Sequence, residues 1–401
     1  MDNINVAIIG VGNIGSAHAK AIASGNIAGM RLEALCDIDP AKREALSRQY
    51  PGVPVFASAE ELLGAVGDGQ LSLDAVIIAT PHRFHAELGI LAVKAGLHVL
   101  SEKPADVKFE NACKLAETAA QHGKLYGIMF NQRTDPVYAK AREIIKSGEL
   151  GGFKRSSWII TNWYRTQAYY DSGDWRATWT GEGGGVLLNQ APHNIDLWLW
   201  MLGMPESVQA FCREGKYHRI DVEDDATIFV EFPGGGTGVF VTSTGEAPGL
   251  NRLEMAFDRG RMLIENGKLS VTRLAVSERD FCFECKDCYA LPELTEEEFA
   301  AAEKRDGHEL ILEDFAGAVV NGTELLAPGS AGVNEIAFTN ACYLSSWTGE
   351  RIKLPLSEVD CGRFSAILEE KRNSEGKRNC HGEDSGAHND AAYSERWKTR
   401  W

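Results

Sequence analysis

A glycine pattern near the N-terminus limits how this chain can fold more than any other feature of its sequence. Gly10, Gly12 and Gly15 follow the apolar run Ile4–Ile9 and open a segment with helical periodicity. The next apolar run ends in an acid, Asp37. A buried strand, a glycine turn, a helix and a second strand with an acid about twenty residues beyond the last glycine together form a dinucleotide-binding unit. This context favours a dinucleotide site over a glycine turn without a ligand.

Each residue of the glycine turn has a physical role in such a unit. Gly10 permits the tight turn, Gly12 lets a pyrophosphate approach the backbone, and Gly15 lets the helix pack closely on the strand. Asn13 and Ile14 lie between these glycines at the start of the predicted helix. The phosphates are expected at this helix N-terminus, because its unpaired N–H groups and its dipole favour an anion.

Asp37 also predicts which cofactor binds. Its carboxylate can accept hydrogen bonds from the ribose hydroxyls of the adenosine, and its charge repels the 2′-phosphate of NADP. No arginine follows it directly; the next residues are Ile38, Asp39, Pro40 and Ala41. We therefore predict NAD rather than NADP as the cofactor.

The size and charge of the chain narrow its class. At 401 residues it is long for one hydrophobic core and suits two. A net charge of −16 argues against binding to nucleic acid, whose phosphates require a basic surface. No apolar run approaches the ~20 residues of a membrane span. The first predicted strand begins almost at Met1, which leaves no room for a signal peptide. The chain has nine cysteines, and an odd number cannot all be paired in disulfides within one chain. We therefore expect a cytoplasmic protein with reduced thiols and no membrane partner.

Strand and helix patterns divide the chain into three parts. Up to residue 130 they alternate, which predicts an α/β Rossmann dinucleotide-binding domain over residues 1–130. From Phe153 onward, short strands with alternating polarity dominate, and they predict an α+β domain with a large, mainly antiparallel open sheet over residues 131–365. Residues 366–401 form a polar tail in this prediction, and its aromatic end, residues 395–401, is expected to dock on a neighbouring molecule.

Two helical segments, residues 186–202 and 309–320, are predicted to cover one face of the antiparallel sheet. The other face of such a sheet can stay open to solvent or meet a second subunit. We therefore expect a homodimer or a homotetramer.

Two predicted strands of the first domain lead into polar residues. Residues 75–79 precede Thr80, Pro81 and His82, and residues 98–101 precede Glu102, Lys103 and Pro104. Ligands bind at the carboxyl ends of the strands in this architecture. Lys103 is held between a buried strand and a proline that is a candidate for a cis peptide, and burial would lower its pKa toward a useful range. The alternative is a solvated loop lysine paired with Glu102.

A second group of polar residues follows Gly183, Gly184 and Gly185. Asn189, His193 and Asp196 stand at positions i, i+4 and i+7, so one continuous helix would place them on one face. Three polar groups among apolar neighbours are costly to bury without partners. The glycines let a backbone or a ligand come close. Two alternatives stay open: His193 is a satisfied core residue, or the helix begins at Pro192 and Asn189 precedes it.

These motifs together resemble the glucose–fructose oxidoreductase, inositol dehydrogenase and MocA (Gfo/Idh/MocA) family. The resemblance rests on the glycine turn, on Thr80-Pro81 with His85, on Glu102-Lys103-Pro104, and on residues 183–196. It implies a Rossmann domain, an open-sheet domain used for oligomers, Lys103 as the catalytic lysine and His193 as the acid/base. The family often has an aspartate four residues before that histidine. Asn189 stands there instead, and it can bind a substrate hydroxyl but cannot carry a negative charge.

The predicted ligand-binding residues come from these motifs and from an aromatic segment of the second domain. For the cofactor they are Gly10, Gly12, Asn13, Ile14, Gly15, Asp37, Thr80, Pro81, His82, His85, Glu102, Lys103 and Asn131. For the substrate they are Lys103, Arg133, Trp163, Tyr164, Arg165, Tyr169, Trp175, Arg176, Asn189 and His193. Aromatic faces interleaved with hydrogen-bonding groups suit a polyhydroxylated ring. The alternative for each aromatic residue is simple packing.

Cys282, Cys285 and Cys288 have a spacing that resembles part of a zinc or iron–sulfur site. No fourth ligand stands nearby in the sequence, and residues three apart on an extended strand face opposite sides. We therefore predict no metal.

The sequence thus predicts an NAD-dependent oxidoreductase that acts on a secondary hydroxyl of a cyclitol, a sugar or a glycoside. Lys103 and His193 would assist proton transfer, while hydride passes to the nicotinamide. One alternative keeps NAD bound and cleaves or rearranges a glycoside through a transient keto-sugar without net redox change. Another is a non-catalytic NAD sensor, against which the presence of both Lys103 and His193 argues.

Overall fold

The computed structural model of the chain describes residues 3–173, 175–301 and 305–375, which form two units. Residues 3–134 and 305–336 belong to the first unit, and residues 135–301 and 337–375 belong to the second. No helix among the described residues combines the length and the apolar character that crossing a membrane requires.

The first unit contains a six-stranded parallel sheet. Its strands are β1 (Ile4–Ile9), β2 (Met30–Cys36), β3 (Val55–Phe56), β4 (Ala75–Ile78), β5 (His98–Ser101) and β6 (Tyr126–Ile128), and its first five helices are α1 (Asn13–Ala23), α2 (Pro40–Gln49), α3 (Ala59–Gly67), α4 (His85–Lys94) and α5 (Phe109–Gln121). The strand order is β3-β2-β1-β4-β5-β6, the order of a Rossmann fold. The chain reverses its winding between β1 and β4, so their carboxyl ends border the crevice where this fold binds ligands. The predicted Rossmann domain is confirmed.

The second unit contains a nine-stranded sheet. Its strands are β7 (Phe153–Ile160), β8 (Ser207–Glu214), β9 (Glu223–Glu231), β10 (Thr237–Ser243), β11 (Asn251–Phe257), β12 (Gly260–Glu265), β13 (Lys268–Leu274), β14 (Leu294–Ala300) and β15 (Ile352–Lys353). They lie in the order β14-β13-β12-β11-β7-β10-β9-β8-β15, and every pair is antiparallel except β7 with β10. Because residues of β10 and β11 alternate between buried and partly exposed, each strand presents one face to a core. The prediction of a large, mainly antiparallel open sheet is confirmed.

The remaining helices follow this order along the chain. They are α6 (Pro136–Ser147), α7 (Gln167–Tyr170), α8 (Val186–Asn189), α9 (Pro192–Leu202), α10 (Glu278–Glu284), α11 (Gly307–Asn321), α12 (Gly329–Thr348) and α13 (Glu358–Ser374). As predicted for residues 186–202, α9 packs on the antiparallel sheet. The ring of Trp198 lies 5.6 Å from that of Phe240 and 5.7 Å from that of Phe232, and its indole N–H donates to Ser156 Oγ at 3.0 Å.

The helix predicted at residues 309–320 forms as α11, but it packs elsewhere than we expected. It contacts β1, β2 and the turn Asn131–Thr134 of the first unit, so its assignment to the antiparallel sheet is wrong. Phe315 of α11 lies close to β6, where a Cβ on Gly127 would be 3.2 Å from its ring. The missing side chain admits the phenylalanine ring, and periodicity alone cannot say which sheet an apolar helix face will cover.

The first part of the predicted polar tail, from residue 366 to Ser374, belongs to a helix. Helix α13 continues past residue 366 to Ser374, begins with a capping box at Ser357 and buries Phe364 and Leu368. An amphipathic helix with charged outer positions is easily mistaken for a polar tail, because its apolar residues are few. The predicted docking segment, residues 395–401, lies outside the described residues.

Candidate active site

The glycine turn between β1 and α1 has the shape that its sequence predicts. Gly10 has a φ of +88°, and a Cβ on it would lie 2.8 Å from the carbonyl oxygen of Ala79. A Cβ on Gly15 would lie 2.1 Å from the carbonyl oxygen of Gly10. A Cβ on Gly12, by contrast, would meet nothing within 4 Å among the described residues. The first two glycines are therefore required by the protein itself, whereas Gly12 leaves the N-terminus of α1 open to a ligand.

Asp37 supports this turn from the end of β2. Its buried carboxylate accepts the backbone N–H of Val11 and that of Asp39, each at 2.9 Å. The sequence showed no arginine directly after Asp37, but helix α2 turns two basic side chains back toward it. Lys42 Nζ lies 3.8 Å from the carboxylate, and Arg43 donates to the carbonyl oxygens of Asp37 and Ile38 at 3.0 and 2.8 Å.

A buried histidine joins the loops after β4 and β5. The ring nitrogens of His85 lie 2.7 Å from the carbonyl oxygens of Thr80 and Pro104. The ring of His82, also buried, lies edge-on to it at 5.9 Å. The Lys103–Pro104 peptide is cis, in agreement with the sequence analysis. His85 therefore ties the Thr80 loop to the loop that carries Lys103.

Glu102 next to Lys103 is buried and pairs with a histidine that the sequence analysis missed. His18 Nε2 of α1 lies 2.8 Å from Glu102 Oε1. Burial raises the pKa of Glu102, but the His18 hydrogen bond and the charges of His18, His308 and Lys103 outweigh it and lower the pKa to about 2. The signal for His18 was its place on the buried stripe of α1 with Gly15, Ala19 and Ile22.

The Glu102 pair predicts a pH dependence of stability. Since its folded pKa of about 2 lies below the ordinary value of 4.5, the ionised carboxylate stabilises the fold fully above pH 4.5, and this contribution is lost as the pH falls toward 2. The shift corresponds to about 3 kcal/mol. Urea unfolding between about pH 7 and pH 3 should therefore show wild type losing stability faster than Glu102→Gln, whose amide does not titrate. Parallel losses in the two proteins would contradict this assignment.

The polar segment of the second unit is broken at its proline. Helix α8 ends at Asn189, and α9 starts at Pro192 with His193 in its first turn. Proline lacks the N–H that a continuous helix would need, but it suits the first position of a new one. The expectation of one helix face for Asn189 and His193 is therefore wrong, and the alternative start at Pro192 is confirmed.

Two of the three glycines before α8, Gly184 and Gly185, make room for protein atoms. A Cβ on Gly185 would lie 1.9 Å from the carbonyl oxygen of Glu223, and one on Gly184 would lie 2.3 Å from the hydroxyl of Tyr343. The buried Glu223 carboxylate accepts the N–H groups of Gly185 and Leu187 at 3.0 and 2.9 Å and the hydroxyl of Tyr343 at 2.8 Å. Burial raises the pKa of this carboxyl to about 8, against the opposing effect of these hydrogen bonds. The close approach anticipated at these glycines is thus made by protein atoms of Glu223 and Tyr343.

Several predicted substrate residues lie together around Asn189. The Tyr169 hydroxyl accepts from Arg176 Nη1 at 2.9 Å and lies 3.4 Å from the amide nitrogen of Asn189. The Arg176 guanidinium lies over the rings of Tyr169 and Trp175, at 4.6 and 4.5 Å from their centroids. The Asn189 amide also donates to Glu182, a buried acid that the sequence analysis did not single out.

Most of the other predicted substrate residues form hydrogen bonds with protein groups that hold the fold together. Trp163 is buried and donates to Asn194 Oδ1 at 3.2 Å, which favours the packing alternative for this ring. Arg165 donates to the carbonyl oxygens of Trp163 and Tyr164 at 3.2 and 3.0 Å, while the Tyr164 side chain is 39% exposed. In the first unit, buried Arg133 donates to the carbonyl oxygen of Leu326 at 2.9 Å. Asn131, which was predicted for the cofactor and not for the substrate, has its Nδ2 3.3 Å from His308 Nδ1.

The loop that carries Trp175, Arg176 and Glu182 is held by the end of α13. Glu375 accepts the backbone N–H groups of Trp179 and of Thr180, the latter at 2.9 Å, and Arg372 donates to the Trp179 carbonyl oxygen at 3.2 Å. Nothing local in the sequence links residues nearly two hundred positions apart, so this support was not predicted. The C-terminal helix therefore contributes directly to the shape of the candidate substrate loop.

The cysteine motif lies in and after α10 of the second unit. Cys282 is in α10, Cys285 follows its end, and all three thiols are free, with Cys282 and Cys288 exposed. Cys282 is thus helical, so the argument about residues three apart on an extended strand does not apply to it. Among the described residues no three His, Cys, Asp or Glu side chains are grouped to hold a metal.

Comparison with known proteins agrees with these observations. The NAD-binding Rossmann-fold domain of the GFO/IDH/MocA oxidoreductase family matches residues 4–130, and the GFO/IDH/MocA C-terminal domain matches residues 138–263. Inositol 2-dehydrogenase from Rhizobium meliloti is 26% identical over 85% of this chain and 96% of its own length. D-glucoside 3-dehydrogenase from Escherichia coli is 29% identical over 58% of this chain and 68% of its own length.

Solved structures give the same result. The WlbA dehydrogenase from Bordetella pertussis, determined with NADH and UDP-GlcNAcA, has a TM-score of 0.72 and 25% identity over 88% of this chain and all of its own. Levoglucosan dehydrogenase with NADH has the same fold, with a TM-score of 0.74 at 18% identity over 89% of this chain and all of its own. From its two matched domains and its glycine turn, this chain belongs to the GFO/IDH/MocA family and is an NAD-dependent oxidoreductase.

Proposed function

We propose that the protein oxidises a secondary hydroxyl of a cyclitol, a sugar or a glycoside with NAD. The observation that carries this proposal is the group of residues around Asn189. Tyr169 and Trp175 offer aromatic faces, and Arg176 and Asn189 offer hydrogen-bonding groups beside them. A polyhydroxylated ring has an apolar C–H face and a polar edge, so it matches such a lining. The relatives named for inositol and D-glucoside dehydrogenation support the same substrate class.

The residues of the glycine turn would hold the cofactor. The open space at Gly12 and the N-terminus of α1 suit the pyrophosphate, and Asp37 suits the adenosine ribose. When bound, NAD supplies the hydride acceptor for the oxidation. The residues around Asn189 would then bind and orient the substrate.

His193 would accept the proton of the substrate hydroxyl, and Lys103 would stabilise the alkoxide that this creates. A hydride leaves a carbinol carbon only as its hydroxyl loses a proton, so a base must act on that hydroxyl. A neutral His193 would accept the proton at a ring nitrogen, and the Lys103 ammonium would stabilise the developing alkoxide. Asn189 would hold the hydroxyl by a hydrogen bond.

We also propose that the protein works as a homodimer or homotetramer, with the open face of its antiparallel sheet as the interface between subunits.

Cofactor preference provides one test. The Asp37 charge should repel the 2′-phosphate of NADP, so kcat/KM with NAD should exceed that with NADP by at least about tenfold, equal to about 1.4 kcal/mol. Steady-state rates with each cofactor would measure the ratio. The ratio of kcat/KM with NAD to kcat/KM with NADP should fall in Asp37→Ala. It should rise in Lys42→Ala, because that change removes a cation beside Asp37 that could attract the 2′-phosphate. Equal efficiency with both cofactors in wild type would contradict the assignment.

A substrate panel tests the reaction itself. Cyclitols, monosaccharides and glycosides would each be incubated with the protein and NAD, and NADH would be followed by absorbance at about 340 nm. We expect NADH with at least one member of the panel. Conversion of a glycoside without net NADH would favour transient oxidation instead. Neither NADH nor any product across the panel would refute the proposal.

A further inference from the structure

A buried carboxylate stands behind the proposed substrate residues, and the mechanism above does not use it. Glu182 is 2% exposed. Its Oε2 accepts the backbone N–H of Ala177 at 2.7 Å, and its Oε1 accepts from the side-chain amide of Asn189. Both oxygens of the carboxylate therefore face donors, one structural and one within the candidate substrate site.

We propose that Glu182 is a positioning residue that fixes the orientation of the Asn189 amide toward the substrate. This inference rests on the proposed function, because it assumes that Asn189 meets a substrate hydroxyl. The amide nitrogen of Asn189, and not its oxygen, faces Glu182 Oε1. An amide nitrogen can only donate hydrogen bonds, so Glu182 Oε1 is the acceptor that holds this orientation.

The second hydrogen of the amide has a neighbour as well. The Tyr169 hydroxyl lies 3.4 Å from Asn189 Nδ2, and its oxygen accepts from Arg176 at 2.9 Å. Glu182 and Tyr169 thus both lie on the nitrogen side of the amide. The carbonyl oxygen Oδ1 lies on the opposite side of the amide, and in this proposal it accepts a hydrogen bond from the substrate and so selects a group that donates one. A hydroxyl fits this requirement, whereas an ether or a methoxy group does not.

Glutamine at position 182 separates this role from a purely structural one. Its amide oxygen can still accept the Ala177 N–H, so the loop keeps that hydrogen bond. Its NH₂ group would then face Asn189, whose amide must turn over to present Oδ1 to it. The substrate hydroxyl would meet an NH₂ group instead of an acceptor. A role limited to holding Ala177 predicts no loss of activity in this variant.

Exchanging the two functional groups should restore the arrangement. In Glu182→Gln with Asn189→Asp, the glutamine NH₂ donates to the new carboxylate, which again offers an acceptor oxygen to the substrate. The carboxyl group is thereby moved from position 182 to position 189. Only a direct partnership between these two side chains predicts rescue by this double substitution.

The experiment compares wild type, Glu182→Gln, the double variant and Glu143→Gln, an exposed control on α6. We expect kcat/KM for the best substrate to fall at least about tenfold in Glu182→Gln, to recover to within about threefold of wild type in the double variant, and to stay unchanged in the control. The midpoint of unfolding and the Kd for NAD should change little in Glu182→Gln. Unchanged kcat/KM in Glu182→Gln, or no recovery in the double variant, would overturn the proposal.

A second measurement does not depend on turnover. In protein labelled with ¹⁵N-asparagine, the Asn189 side-chain amide, identified by its loss in Asn189→Asp, should exchange slowly in wild type and shift in Glu182→Gln. An Asn189 amide signal that is the same in both proteins would refute the positioning role. An inactive wild type with the expected amide shift would instead refute the proposed function and leave the Glu182–Asn189 partnership intact.

Discussion

Replacing Lys103 or His193 with alanine should lower turnover by about 10²–10⁴-fold, the usual contribution of a positioned proton-transfer group. Loss of His193 removes the base, and loss of Lys103 removes the charge that stabilises the alkoxide. Neither residue lies in the glycine turn that would hold the pyrophosphate, so the Kd for NAD should change far less than kcat in both variants, including Lys103→Ala, although Lys103 is also a predicted cofactor contact. The measurement is kcat from NADH absorbance, together with NAD binding by fluorescence titration.

Surface residues of the same types provide matched controls for these variants. Lys94 lies exposed at the end of α4, and His122 lies exposed after α5. Lys94→Ala and His122→Ala should keep wild-type turnover. Turnover near that of wild type in Lys103→Ala or His193→Ala would remove that residue from the proposed mechanism.

The second large effect is expected at Gly15. Alanine there would place its Cβ 2.1 Å from the carbonyl oxygen of Gly10, so the turn must move. We expect the Kd for NAD to rise at least about 100-fold, equal to about 2.7 kcal/mol. Overpacking of this kind should also lower the free energy of unfolding by about 1–3 kcal/mol. Isothermal titration with NAD and urea unfolding would measure the two effects.

Two other glycines separate the causes of that loss. A Cβ on Gly12 meets nothing within 4 Å among the described residues, so Gly12→Ala should weaken NAD binding without destabilising the protein. Gly64 in α3 is equally open and far from the turn in sequence, so Gly64→Ala should change neither property for the worse. Normal NAD binding by Gly15→Ala would show that the turn does not hold the cofactor.

The features predicted correctly from the sequence are those that depend on neighbouring residues. In the turn from Gly10 to Gly15, the tight contact of Gly15 is with Gly10 itself, and Gly10 has the positive φ of +88° that favours glycine, although Gly10 also meets the distant Ala79. The break at Pro192 follows from the missing N–H of that residue alone. Local stereochemistry determines both features, and the sequence displays it directly.

The features that were missed depend on partners that are distant in the chain. His18 meets Glu102 across 84 positions, and Glu375 caps the backbone of Thr180 across 195 positions. Helix α11 has an apolar face, and it packs against β1, β2 and residues 131–134 of the first unit, where Phe315 lies close to Gly127. Periodicity identifies a face that must be buried but does not identify the surface that buries it.

Glu182 lies between these two cases. It is only seven residues from Asn189 in the sequence, and the three glycines lie between the two residues. The chain turns at these glycines, so that the Glu182 side chain contacts the Asn189 amide. The sequence showed the absence of a carboxylate at position 189 and gave no reason to look for one before the glycines. The structure supplies that reason, since the buried acid accepts a hydrogen bond from the Asn189 amide.

The most direct test of the account follows the hydride. The polyol from the panel with the highest turnover would be prepared with deuterium on its carbinol carbons and incubated with the protein and NAD. The reduced cofactor would then be examined by mass spectrometry and NMR. We predict one deuterium at C4 of the nicotinamide, on a single face, and no such product with His193→Ala on the same timescale. Reduced cofactor that carries no deuterium would contradict the proposed hydride transfer, and so would the absence of reduced cofactor with every polyol of the panel.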